Sequence, residues 1–165
     1  MQIITENRII AASHINRWRG WLKRPFSILD HMVIGAEMLR YVGRPDHVVK
    51  KFLVHDMHET QFMGDITTPD KARYCNSRYH RDVADFDFAL GDEMGWSGDR
   101  WWLDSQVKAM DELMKRIENV EVRIGPLAEI PDPSPAEVKL FLDMETRVRQ
   151  MGGSRAHFWR MVNNG

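Results

Sequence analysis

Residues 27–42 read SILDHMVIGAEMLRYV. Ile28, Met32, Ala36 and Leu39 recur at three- and four-residue spacing, so on a helix they form one apolar stripe, which Gly43 and Pro45 end. His31 lies on the same inner stripe. Outward from this segment, the same periodicity runs through most of the chain, while alternating β-branched runs bounded by hairpin signals are nearly absent. The sequence predicts an all-α fold, a helical bundle.

The next helix is predicted over HVVKKFLVHDMHE (47–59), with Asp46 as its cap. Gly64 stops the segment after it, and DITTPDK (65–71) reads as a loop in which Thr68 caps and Pro69 opens a third helix over about 69–94. GWSGD (95–99) breaks that helix, and Asp99 begins a long segment reaching about Val122. GPLAEIPDP (125–133) is a loop with three prolines, and SPAE (134–137) is a capping box with proline at the first helical position. The last helices run to about Val148 and again over 154–162.

A length of 165 residues fits one domain over 1–165 with a real core. With 43% hydrophobic and 28% charged residues the composition is that of an ordinary globular protein, and no apolar stretch is long enough to span a bilayer. Cys75 is the single cysteine and the N-terminus lacks the pattern of a secretory signal, so a cytoplasmic, reducing setting and no membrane partner are expected. A net charge of −1 gives no overall field to hold a polyanion, which argues against a stable nucleic-acid partner. Any phosphate binding must come from a local cluster.

His55 and Asp56, in FLVHDMHETQFMGDITTPDK (52–71), are consecutive and lie about 100° apart if helical, close enough to converge on one ion. Imidazole with carboxylates suits Zn, Co, Mn or Fe if further ligands come from other helices. Two candidates are His31 and Asp111, the latter on an otherwise apolar side with Val107 and Met114. A charge on a core face is costly unless paired or coordinated, although an arginine or lysine partner would also satisfy it.

Together, His31, the HD pair at 55–56 and VKxxD ending at Asp111 resemble the HD-domain metal-dependent phosphohydrolases, a helical-bundle family. NRW (16–18), HDxxE (55–59), GDIxTP (64–69) and VKxxD (107–111) are similar to bacterial 5′-deoxynucleotidases and compact phage-type deoxynucleoside triphosphate triphosphohydrolases. The resemblance covers roughly residues 14–115. It implies that His31, His55, Asp56 and Asp111 bind a divalent transition metal (Zn, Co or Mn), with Mg an option on the substrate phosphates. It assigns Glu59, one turn after His55, to the attacking water, a role that suits a carboxylate beside a cation. An exposed glutamate paired with a lysine is the plainer reading.

RWRGWLKR (17–24) interleaves four cations with two tryptophans, a pattern shared by nucleic-acid patches and by solvated helices with packed aromatics. The resemblance implies that Arg17 contacts phosphate and Trp18 packs on the sugar, where a tryptophan wall rejects a 2′-hydroxyl. It gives Asp65 the 3′-hydroxyl; a turn residue after Gly64 is its other reading. Lys71 and Lys108 are candidates for a polyphosphate tail, and surface lysines otherwise. Gly20 offers no side chain to choose among bases. The expected function is therefore hydrolysis of deoxynucleoside 5′-phosphates, foremost a dNTP, such as a purine dNTP like dATP, to deoxynucleoside plus triphosphate. The alternatives are a 5′-deoxynucleotidase acting on monophosphates and, from another class, a catalytically silent nucleotide- or nucleic-acid-binding module.

HET (58–60) is not a zincin motif, because Phe62 stands where the second histidine would be. His58 reads as a histidine behind the ligands or at the surface. His14, His47, His80 and His157 have no spacing partners. Trp96, Trp101 and Trp102 are expected in the core or a subunit interface, and a homo-oligomer is expected.

Overall fold

Helical periodicity produces a helical structure. The computed structural model describes residues 2–62, 71, 73 and 75–164. Among these, seven α-helices are formed: α1 (Glu6–His14), α2 (Ile28–Tyr41), α3 (Asp46–Val54), α4 (Ser77–Glu93), α5 (Ser105–Glu121), α6 (Pro135–Gln150) and α7 (Ser154–Asn163). Short 3-10 turns span Arg17–Gly20, Met57–Thr60 and Trp101–Leu103. No strand occurs among the described residues, which contain only two isolated bridges, Asn16 with Ser27 and Leu22 with Arg123. No described helix is long and apolar enough to cross a membrane.

Helix α2 is the axis of the bundle. Ser27 and Asp30 close a reciprocal capping box at its start, satisfying backbone donors that the first turn leaves over. Burial exceeds the predicted stripe: Ile28, Leu29 and every residue from 31 to 39 are inside, as befits a helix packed on all sides. α1, α3, α5, α6 and α7 all lie against it. Gly35 sets the approach of α3, since a Cβ there would stand 2.2 Å from Phe52 Cε1. The Phe52 ring in turn packs on His31, with centroids 5.7 Å apart, and on His55, at 4.3 Å.

Several boundaries differ from those the sequence predicts. α3 begins at Asp46, with Pro45 rather than Asp46 in the capping position, and it stops at Val54 instead of continuing to Glu59. His55 therefore ends the helix, with its N–H donating to Phe52 O, three residues back, at 3.3 Å. Its ring Nδ1–H donates to the same carbonyl at 2.7 Å, drawing that acceptor away from the regular ladder. His55 and Asp56 thus sit in a turn, and Glu59 on the following 3-10 turn. The predicted helix over 69–94 is interrupted at Cys75 and Asn76; Lys71 and Arg73 are helical before the break, and Asn76 caps α4 by accepting from Tyr79 N–H. Residues 63–70, with Gly64, Thr68 and Pro69, lie outside the described residues.

The long fifth helix starts at Ser105, not Asp99, because Asp104 is the cap, accepting from Gln106 and Val107 N–H. Lys51 Nζ lies 3.2 Å from Asp99 and 3.3 Å from Asp104, tying this corner to α3. α6 opens on the capping box and first-position proline that SPAE predicts. α1, which carries no strong sequence signal, is capped by Thr5. Its Arg8 donates to Thr60 Oγ1 at 2.8 Å and Gln61 Oε1 at 3.1 Å, bracing the Met57–Thr60 turn.

Candidate metal centre and adjoining cleft

His31 from α2, His55 and Asp56 from the turn after α3, and Asp111 from the middle of α5 meet at one point. Their ligand atoms all lie within 4.8 Å of one another. His31 Nε2 is 3.3 Å from His55 Nε2 and 3.2 Å from Asp111 Oδ1. Asp56 Oδ2 is 3.4 Å from His55 Nε2 and 3.7 Å from His31 Nε2. Ligand atoms placed about 2.0–2.2 Å from a common ion are about 3.0–3.5 Å apart along the edges of its coordination shell. Three of these four spacings fall within that range, and the Asp56–His31 pair is slightly wider.

The tautomers point the same way. His31 Nδ1 lies 2.9 Å from Glu118 Oε1, and His55 Nδ1 2.7 Å from Phe52 O. Both acceptors require the proton on Nδ1, which leaves each Nε2 as a lone pair. Two imidazole lone pairs and two carboxylates facing one point repel each other unless a positive charge lies among them. A proton can supply it. Burial and Arg17 oppose charging His31, but Glu118 and Asp111 outweigh them and raise its pKa to about 9. Burial would raise Asp56 and Asp111, yet the two histidines hold both below the ordinary carboxylate range. A divalent cation in the same place satisfies all four groups at once, so the donor set fits one.

Glu118 stands behind His31 with no exposure. Its second oxygen lies 3.2 Å from Arg17 Nη2, and Arg17 Nη1 is 3.7 Å from Asp56 Oδ2. Carboxylate, histidine and site thus form a chain that fixes ring orientation and tautomer. Lys115 Nζ, one turn after Asp111, lies 2.9 Å from Asp111 Oδ2, leaving Oδ1 to face the histidines. Neither Glu118 nor Lys115 is among the residues that the sequence motifs single out. Glu118 carries a usable signal, because it falls one turn past Met114 and two past Asp111, on the same otherwise apolar side.

Arg17 and Trp18 are both buried, in a turn where Trp18 and Arg19 adopt φ of 53° and 54°. Two consecutive left-handed residues with side chains cost about 1–3 kcal/mol each, so the surroundings must hold them. Arg17 N–H donates to Phe26 O at 3.0 Å and Trp21 N–H to Trp18 O at 3.1 Å. The Trp18 ring packs beneath the Arg123 guanidinium, 5.7 Å from its centroid.

A cleft of about 260 Å³ opens from His55, Asp56 and Asp111. His58, Lys71, Tyr79, His80, Asp87 and Lys108 also line it, with Val83, Trp102 and Val107 as its apolar residues. Glu59 is buried beside it with Oε1 3.7 Å from Lys71 Nζ, and ligand atoms of Asp56, His58 and Glu59 lie within 4.8 Å of one another. His58 is buried, its Nδ1 3.5 Å from Asp87 Oδ1. Burial pushes the Asp87 carboxyl up, against the pull of His58. Asp65 lies outside the described residues. Trp101 is fully buried and Trp96 packs on it at 5.4 Å, so this tryptophan pair serves the core.

No protein-family profile matches the chain, and no curated protein does. Among solved structures it is similar to the cyanophage S-2L HD phosphohydrolase DatZ, described as bound to dA and one catalytic Zn2+ ion. The two share 20% identity at a TM-score of 0.53, over 100% of this chain and 100% of that one. With the helical architecture described above, this likeness gives the chain the all-α fold of an HD phosphohydrolase.

Proposed function

We propose that the protein is a metal-dependent phosphohydrolase of deoxynucleoside 5′-phosphates, acting on a triphosphate to give deoxynucleoside plus triphosphate. The observation that carries this reading is the convergence of two imidazole nitrogens and two carboxylates from three separate elements, with buried Glu59 alongside. His31, His55, Asp56 and Asp111 would hold the divalent cation, for which Zn, Co or Mn suits the donors. When bound, such a cation acidifies water and neutralises charge developing on a phosphoryl group.

The chain's own residues do the rest. Glu59 accepts the proton of the attacking water, with Lys71 Nζ 3.7 Å from its Oε1. Net addition of water across the bond between phosphorus and the 5′-oxygen leaves a free 5′-hydroxyl and a triphosphate bearing the water oxygen. Arg17, held between Glu118 and Asp56, brings positive charge to the edge of the site. Trp18 walls the sugar against a 2′-hydroxyl and Asp65 accepts from its 3′-hydroxyl. Hydrolysis of monophosphates is the alternative; Lys71 and Lys108, which line the cleft together with the carboxylates, support the longer substrate.

Metal analysis and a substrate panel test this reading. The purified protein is expected to carry a stoichiometric transition metal and to hydrolyse dNTPs faster than the corresponding ribonucleotides, with Glu59→Gln slowing turnover by about 100-fold or more while retaining metal. A protein with no affinity for such metals would refute it. Equal rates on ribo- and deoxy-substrates would remove the role given to Trp18.

A further inference from the structure

The family resemblance reaches only to about residue 115, yet the chain just beyond it returns to the Arg17–Gly20 turn. Three backbone ties join the two segments. Lys23 N–H donates to Val122 O at 2.7 Å, Ile124 N–H donates to Trp21 O at 3.0 Å, and Leu22 pairs with Arg123 in an isolated antiparallel bridge. Lys23 Nζ adds a bond to Val120 O, one of the carbonyls that the end of α5 leaves over. The left-handed pair Trp18 and Arg19 is thus stapled on one side to the end of α5 and on the other to Phe26 O.

Arg123 is the side chain that carries this contact to Trp18. Its guanidinium lies over the indole, 5.7 Å from the ring centre and within the range of a cation–π contact. Nη1 donates to Ile124 O at 3.1 Å and to Gly125 O, so its own backbone fixes the guanidinium in place. That backbone is fixed in turn. Buried Asn119 donates from Nδ2 to Leu127 O at 3.1 Å and accepts from Leu127 N–H at 2.9 Å, tying the loop after α5 to the helix itself. One face of the Trp18 ring is therefore taken by a held cation, and the ring cannot swing to that side without displacing it. From Asp111 through Glu118 and Asn119 to Arg123, one stretch of chain positions a candidate metal ligand, Arg17 and Trp18.

We infer that Arg123 is a positioning residue for Trp18, and that through it the segment 119–127 sets the discrimination between deoxyribose and ribose. A wall excludes a 2′-hydroxyl only when it cannot retreat, because one added hydroxyl is a small difference that a yielding surface admits. Trp18 sits in a turn of unfavourable backbone conformation, so the turn alone does not supply that rigidity. The stacked guanidinium does. The inference rests on the role proposed for Trp18 and adds the residue on which that role depends.

The test is calorimetric titration of the metal-loaded protein with each 2′-deoxynucleoside and with its ribonucleoside, which involves no turnover. Wild type is expected to bind the deoxy form more tightly. The ratio of the two affinities is expected to fall about five- to tenfold in Arg123→Ala and Arg123→Met, and by less in Arg123→Lys, which keeps a cation. Metal affinity in the same samples is expected to stay at the wild-type value, because the contacts of Arg123 among the described residues include no candidate ligand. A general loss of folding cannot imitate that pattern. In Trp18→Leu the ratio is expected to be low already, and adding Arg123→Met to leave it unchanged. A wild-type ratio retained in Arg123→Met overturns the inference and leaves the role of Trp18 standing. A second fall of the same size in the Trp18→Leu background also overturns it, since Arg123 then acts elsewhere. Wild type with no deoxy preference refutes the role of Trp18 and the inference with it.

Discussion

Glu118 does not line the cleft, yet its two oxygens are divided between His31 Nδ1 and Arg17. The ionised carboxylate pins the His31 tautomer and offsets a buried guanidinium. Glu118→Gln keeps the shape and removes the charge. It should weaken metal binding about 10- to 100-fold, measured by competition with a chromophoric chelator. His31 itself predicts a pH response. Its folded pKa is raised from 6.5 to about 9, so in metal-free protein the protonated ring contributes stability that is complete below the unfolded value and lost as pH rises through about 9. The melting temperature of the chelated protein should therefore decline over this window, while transition-metal affinity rises because the ion no longer competes with a proton. A flat profile for both would contradict the protonation described for His31. At this scale residue type and spacing make His31, His55, Asp56 and Asp111 candidates, and the family resemblance joins them into one set. Glu118 stays hidden because its meaning depends on a histidine 87 positions away.

The elements are legible where local chemistry is self-sufficient and misread where two signals compete. Ser27 with Asp30 and Ser134 with Glu137 are complete capping boxes, and both helices begin where the sequence places them. α3 ends five residues early because the amphipathic pattern continues past Val54 while the His55 ring and backbone N–H both claim the Phe52 carbonyl. Asn76 is a plain cap signal, but it lies in a segment without glycine or proline, so the expected helix runs through it. Gly35 is the position where an element-scale prediction is sharpest. Gly35→Ala gains about 1 kcal/mol of helix propensity, but overpacking typically costs about 1–3 kcal/mol, and here the clash is with a ring seated between two site histidines. The balance is net destabilisation with weaker metal binding, read by thermal melting and metal titration. An alanine variant more stable than wild type would show that Phe52 moves freely.

Across the whole molecule, the cluster joins parts of the chain that have no reason to meet unless it is folded. His31 and Asp111 are 80 residues apart, and α2, the turn after α3 and α5 each contribute. An unfolded chain offers no comparable site, so a bound ion stabilises the folded state by mass action, by about 2.7 kcal/mol at a free concentration one hundred times Kd. For a chain of this size each kcal/mol moves the melting temperature by about 2–4 °C, so saturating Zn, Co or Mn should raise it by about 5–10 °C over the chelated protein. Mg, which prefers an all-oxygen shell and dehydrates reluctantly, should shift it far less. His55→Ala removes one of the two proposed nitrogen ligands while leaving Phe52 to pack on His31, and should erase most of the metal-dependent increment. The decisive comparison is the difference between metal-loaded and chelated forms of each variant, because it cancels whatever the substitution does to packing. An increment that survives in His55→Ala would place the stabilising ion elsewhere in the fold.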